Sequence, residues 1–181
     1  MRQTILAKRY AKALFAVGQE EGLSESFRET LNVLGDFLNT YPEAMDGLTN
    51  LLYPMELREK VMGQLISAVQ ADNFLSNFLN LLVEKKRAGI LPEIATEFQS
   101  LVDADQNISR GKVVSAIEIT EELRAKVQST LEKITGKKVI LTTEVDPSII
   151  GGIVAKVGDL VMDGSIKTQL AGLNESIKGS E

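Results

Sequence analysis

Between Gly151 and Ser165 the chain reads Gly-Gly-Ile-Val-Ala-Lys-Val-Gly-Asp-Leu-Val-Met-Asp-Gly-Ser, an order of residue types that admits few local structures. Ile153 to Val157 and Leu160 to Met162 are rich in β-branched and apolar residues. Gly158-Asp159 between them suits a two-residue turn with glycine at its first central position, so the stretch predicts a β-hairpin. Gly151-Gly152 permits a sharp bend into the first strand. Asp163-Gly164-Ser165 supplies turn and capping side chains, and Ile166, Leu170, Leu173 and Ile177 follow at the spacing of one face of a short final helix.

Upstream of residue 105 the apolar period is helical. Leu6, Tyr10, Leu14 and Val17 form one stripe of a first helix, and Ala7, Ala11, Phe15 and Gly18 form a second, smaller-residue stripe beside it. Two stripes imply two contacts: either both face neighbours within a bundle, or the small-residue stripe leaves a groove for a partner's helix. Gly22 suits the end of this helix and Ser24 the cap of the next. That second helix carries Phe27, Leu31, Leu34 and Leu38 with Phe37 beside them, and it stops near Tyr41-Pro42. Pro42 fits the first turn of a third helix running to about Leu52. Leu57, Val61, Leu65 and Ala68 give a fourth helix after Pro54.

Asp72 or Asn73 can cap a fifth helix, in which Phe74, Leu75, Phe78, Leu79, Leu81 and Leu82 are apolar nearly all round. Such a helix is central or sits in an interface. Its last turn is basic, a solvated helix end, and Gly89 suits a left-handed exit. Pro92 opens a sixth helix with Ile94, Phe98, Leu101 and Val102 on one face. These segments predict a six-helix bundle.

The stretch from Asp103 to Gly111 is polar and marks the domain boundary, giving a helical unit over 1–105 and a second unit over 106–181. Beyond it, Lys112 to Ile119 reads as a strand covered on both faces. Thr120 caps a helix with Glu121 and Glu122 in its first turn, an apolar line of Leu123, Val127, Leu131 and Ile134, and Gly136 past its end. Val139, Leu141, Thr143 and Val145 alternate as the next strand, ended by Asp146-Pro147. With the hairpin and the last helix the order is β-α-β-β-β-α, and the fold class is α+β: a helical bundle followed by a small mixed α/β domain. A domain of this size lies near the limit at which one core suffices, so docking on a partner would help it.

Residue inventory narrows the chemistry. The chain has no cysteine, histidine or tryptophan, which removes disulfides, thiolates, histidine bases and zinc sites built on Cys or His. No phosphate-binding loop or dinucleotide fingerprint is present. Asp103 and Asp105 stand two apart and do not share a helix face, so they read as solvated charges rather than an acid-base pair. Met55, Met62 and Met162 read as core fillers. No catalytic residue, metal ligand or cofactor is expected. The net charge of −5, with the acidic excess in the first 105 residues, argues against nucleic acid. Lys133, Lys137 and Lys138 form a basic cluster without aromatic interleaving. The first residues carry Lys8, Arg9 and Lys12 instead of a signal-peptide core, and no apolar run approaches the roughly 20 residues of a membrane span. Membrane association would come through a partner.

Gly151-Gly152, the Gly158-Asp159 turn and Asp163-Gly164-Ser165, in that order, resemble the C-terminal signature of the δ-subunit family of F-type ATP synthases. This family is the bacterial relative of the mitochondrial oligomycin-sensitivity-conferring protein. Arg9-Tyr10-Ala11-Lys12-Ala13-Leu14-Phe15 resembles the family's N-terminal motif. Leu82-Val83-Glu84 through Gly89-Ile90-Leu91-Pro92 resembles its passage from the fifth helix to the sixth. The resemblance implies a non-catalytic stator subunit that links the peripheral stalk to the top of the catalytic head and resists rotation during ion-driven ATP synthesis. It implies that the first and fifth helices receive α-subunit N-termini, through Ala7, Tyr10, Ala11, Leu14, Phe15, Phe74, Phe78 and Leu81. It also implies that the second domain meets the b-type stalk subunits, with one copy per complex, peripheral on the cytoplasmic face of a bacterial membrane. A different class, a small RNA-binding or ribosome-associated adapter, would need a basic face that the charge balance does not provide.

Overall fold

The structure, a computed structural model, describes residues 2–147, 149–158 and 160–170. Two compact units divide the chain, Met1–Val102 and Asp103–Glu181. Six α-helices build the first: α1 (Arg2–Glu21), α2 (Ser24–Thr40), α3 (Pro42–Thr49), α4 (Met55–Ala68), α5 (Asn73–Glu84) and α6 (Leu91–Asp105), with a 3-10 turn at Ala88–Ile90. The last turn of α6 falls in the second unit. Phe27, Leu31, Leu34 and Leu38 of α2 meet Leu75, Leu79 and Leu82 of α5 and Ile94, Phe98 and Val102 of α6 in a single buried cluster. Each such side chain contributes roughly 1.5–3 kcal/mol by leaving water. The faces of α2 and α6 are those that the periodicity predicts, whereas the period of α5, apolar nearly all round, singles out no face.

Helix ends differ from expectation in three places. Ser24 is the first residue of α2 and caps nothing; Leu23 holds the N-cap position. The chain reverses so tightly there that Leu23 N donates to Gly18 O at 2.8 Å, and Ser24 Oγ lies 3.1 Å from where a Cβ on Gly18 would stand. Helix α3 stops at Thr49 rather than near Leu52, because the Asn50 side chain accepts from Leu52 N at 3.0 Å and offers the backbone a turn instead. The left-handed exit from α5 is Lys86 (φ 57°), not Gly89, which sits in the 3-10 turn. Lys86 N donates to Val83 O at 2.9 Å and Arg87 N to Leu82 O at 2.7 Å, so the helix closes with paired bonds to its last carbonyls. At its other end Asp72 accepts from Phe74 N at 2.9 Å, the cap expected from sequence.

The inward face of α4 is rotated from the predicted line. Leu57 is 44% exposed, whereas Arg58 and Met62 are buried. Arg58 Nε and Nη1 are buried without a hydrogen-bond partner among the described residues, so α4 turns an aliphatic stem and part of a guanidinium inward.

The second unit is a four-stranded sheet in the order β2-β1-β3-β4, formed by β1 (Ile108–Ser115), β2 (Lys138–Val145), β3 (Ile153–Val157) and β4 (Leu160–Asp163), with α7 (Glu121–Thr135) connecting β1 to β2. Strand β1 runs parallel to β2 and antiparallel to β3, and β3 pairs antiparallel with β4 as the hairpin reading requires. Thr120 caps α7 and Gly136 follows it in the left-handed region. Val113, Leu131, Val139, Leu141, Ala155 and Val157 form the core between α7 and the sheet.

The polar stretch taken for a boundary is mostly structure. It holds the last turn of α6, left-handed Asn107 and the first half of β1, which therefore lies at 108–115 rather than 112–119. Pairing starts at Ile108 opposite Lys138 and ends at Ser115 opposite Val145, which fixes the strand's position. One face of β1 is buried through Gly111, Val113 and Ser115 and the other carries exposed Arg110 and Lys112, so the strand is not covered on both sides. Gly111 is required by packing: a Cβ there would stand 2.6 Å from Val157 Cγ2 and 2.9 Å from Leu141 Cδ2. Asp103 is not a solvated charge. It is 7% exposed and accepts from Arg110 Nε at 2.6 Å and Nη2 at 3.0 Å. Met162, at 38% exposure, is no core filler.

The two halves of the Gly151–Ser165 signature touch each other. Gly164 N donates to Ile153 O at 2.9 Å and Ile166 N to Gly151 O at 3.0 Å. Gly152 has φ 84°, and a Cβ on it would run into Gly164 O and stand 2.9 Å from Ser165 Cα. Ser165 Oγ accepts from Thr168 N at 3.3 Å, which caps the helical residues 166–170. Asp163 accepts from Ser165 N at 2.8 Å and from Thr168 Oγ1 at 2.7 Å. Those bonds, the backbone one first, hold its carboxyl below the ordinary aspartate range, so the arrangement is complete above that range and is lost as pH falls through the lowered value. Asp159, Leu173 and Ile177 lie outside the described residues. Gly152→Ala is expected to destabilise the second unit by about 2 kcal/mol or more. Hydrogen exchange checks this: the amides of Gly164 and Ile166 should lose protection, whereas Gly151→Ala, which meets only the flexible end of Ile166, should affect them less.

Candidate partner-binding groove

Helix α1 packs inward through its small residues. Ala7 and Ala11 are 0% exposed, and Gly18 and Leu14 are buried with them. This corrects the idea that the small-residue stripe forms a groove for a partner, because Ala7, Ala11 and Gly18 let α1 approach its own core closely and leave no surface. Phe15 is half-buried and packs edge-on against Phe98, with centroids 5.9 Å apart, so it also serves the unit's interior.

The accessible surface lies on the flank of α1 that meets α5. Tyr10 and Phe78, both half-buried, cross edge-to-face with centroids 6.1 Å apart and join the two helices. Beside them Ala13, Leu14, Val17, Phe74, Asn77, Phe78 and Leu81 line a mainly apolar depression of about 430 Å³. Phe74 and Leu81 remain 44% and 40% exposed, which explains why α5 looked apolar all round: its inner face fills the core and its outer face lines this surface. A second depression of about 340 Å³ continues past Tyr10, lined by Leu6, Arg9, Tyr10, Ala13 and Arg87. Arg87 Nη1 donates to Tyr10 Oη at 2.7 Å.

Of the residues expected here, Tyr10, Leu14, Phe74, Phe78 and Leu81 come together on the groove, while Ala7, Ala11 and Phe15 do not. Leu6 and Val17 carried a signal, since they belong to the larger-residue stripe. Ala13 lay outside both stripes and carried no signal from periodicity, only a place in the N-terminal motif. Arg87 belonged to a basic run that reads as a solvated helix end, and Arg9 carried no role beyond its place in the N-terminal motif. In the second unit, Lys126, Val127, Thr130, Leu131, Ile153, Ala155, Met162 and Gly164 line a separate apolar trough of about 310 Å³. No group of three or more His, Cys, Asp or Glu side chains able to hold a metal ion occurs among the described residues.

Residues 6–177 match the family described as ATP synthase delta (OSCP) subunit. The chain belongs to that family. An ATP synthase subunit delta from Desulfotalea psychrophila is 64% identical over 181 residues, covering 100% of both chains. Another, from Desulfosudis oleivorans, is 41% identical over 181 residues and covers 100% of this chain and 99% of its own. The fold is shared with a chain in the structure of the Toxoplasma gondii mitochondrial ATP synthase hexamer, with TM-score 0.74 and 22% identity over 95% of this chain and 97% of that one. As a member of the family this chain is a structural subunit of the ATP synthase stator, not a catalytic one. The RNA-binding adapter reading is thereby set aside.

The packing of α1 yields a sharp contrast. Ala11→Asp buries a carboxylate in the core and should cost about 3 kcal/mol or more, whereas Ala13→Asp, on the exposed flank two residues on, should stay within about 0.5 kcal/mol of the parent chain. Urea unfolding followed by helix content separates the two.

Proposed function

We propose that the helical unit, read as a six-helix bundle over about residues 1–105, caps the catalytic head by holding the N-terminal helix of an α subunit in the groove between α1 and α5. The unit from about 106 to 181 meets the end of the b-type stalk subunits. One copy per complex then ties the outer stalk to the head on the cytoplasmic face of the membrane, held there through the complex. No helix among the described residues is long and apolar enough to cross a membrane.

The observation that carries this reading is the surplus of apolar surface on α5, aligned with the flank of α1 in one open groove. Exposed Phe74 and Leu81 gain from coverage by another apolar face, and a helix brings such a face at i, i+3, i+4 and i+7. Attachment at two points makes the second contact effectively intramolecular, so each site can be moderate while the tether as a whole resists torque.

Calorimetric titration of the full chain with a peptide of the α-subunit N-terminus tests the proposal. Saturable one-to-one binding with a negative heat-capacity change is expected, since the groove is apolar. Phe74→Asp should weaken it about tenfold or more while leaving the urea midpoint near that of the parent chain, because an acid in the first turn of α5 suits the helix. Equal losses in binding and stability would make Phe74 a folding residue and defeat the groove.

A further inference from the structure

We propose that Arg9 and Arg87 form a carboxylate-binding site at one end of the groove, and that this site fixes the direction in which the partner helix lies. The inference rests on the groove reading above and adds a direction to it. Arg87 is pinned: Nη1 donates to Tyr10 Oη at 2.7 Å, and the guanidinium stands 5.7 Å from the centroid of the Tyr10 ring. Only one of its five N–H donors is used in that bond, and a guanidinium fork held in one plane suits a carboxylate. Arg9 lies four residues before Ala13 on α1, and its guanidinium has no hydrogen-bond or ion-pair partner among the described residues. Both arginines line the same depression of about 340 Å³, and no acidic side chain lines it with them.

The opposite end of the groove has the other sign. Val17 and Phe74 line it there. Glu20 and Glu21 follow Val17 three and four residues later, on the same side of α1, and both are exposed. Asp72 precedes Phe74 as the cap of α5. A bound helix carries partial positive charge at its N-terminus and partial negative charge at its C-terminus. Its C-terminal end, with an Asp or Glu in the last turn, therefore belongs at Arg9 and Arg87, and its N-terminal end at Glu20 and Glu21. The partner helix then runs antiparallel to α1 and parallel to α5. An apolar groove by itself holds a helix in either direction, so these charges set the orientation.

The full chain is titrated with the α-subunit N-terminal peptide carrying a nitroxide at one end or the other, and the amide signals are followed. A C-terminal label should broaden Arg9 and Arg87, and an N-terminal label should broaden Val17 and Phe74. Arg9→Gln, which alters no bond of the folded chain among the described residues, should weaken the peptide about fivefold or more at low salt, with the loss shrinking at about 1 M salt. The reverse broadening pattern, or broadening independent of label position, overturns the inference, as does unchanged affinity in Arg9→Gln. A peptide that binds in the wrong direction leaves the groove standing and removes only the carboxylate site. A peptide that does not bind the parent chain at all removes both.

Discussion

The helical unit depends on how closely α1 lies against its own core. Ala7, Ala11 and Gly18 bring the helix backbone in with no side-chain bulk between, while Leu14 and Phe15 fill the space beside them. That approach turns Tyr10 outward to meet Phe78 and leaves Ala13 and Val17 as one wall of a groove whose other wall is Phe74 and Leu81. A bulkier inward stripe would move α1 away from α5 and open the contact between Tyr10 and Phe78. The groove is therefore a consequence of core packing, which makes it preformed, and preformed surfaces lose little entropy when a partner arrives.

The second unit rests on two close approaches made through glycine. Gly111 lets Val157 and Leu141 lie over β1 from the strands on either side, and Gly152 lets the chain before the hairpin lie against Gly164 and Ser165 after it. The hairpin is thereby closed at its base as well as at its turn, and the cap at Ser165 starts the helical residues from a fixed point. Closure by backbone contact and hydrogen bonds adds to what a small apolar core supplies by itself.

Much of this was legible in the sequence, and the failures have physical causes. The buried lines of α2 and α6, the Asp72 and Thr120 caps and the hairpin followed from period and terminal residues, since local rules and tertiary packing agree there. Strand β1 was misplaced because Ile108-Ser109-Arg110-Gly111 reads as a linker until its neighbours β2 and β3 are known. The end of α5 was misplaced because Lys86 takes a backbone conformation that sequence rules reserve for glycine. The larger miss was the direction of α1. Two stripes were visible, but which one faced inward depended on how near α2 and α6 come, and no one-dimensional period contains that distance. The periodicity was silent on Ala13 for the same reason, as its importance comes from what stands across from it.

The most direct test of the central claim, that the flank of α1 facing α5 is the surface that meets the catalytic head, is amide hydrogen exchange on the full chain with and without the α-subunit N-terminal peptide. Slowed exchange concentrated in residues 6–17 and 74–87, with the remaining helices and the sheet unchanged, is the predicted result. Slowed exchange elsewhere, with α1 and α5 unaffected by a peptide that binds, would contradict it.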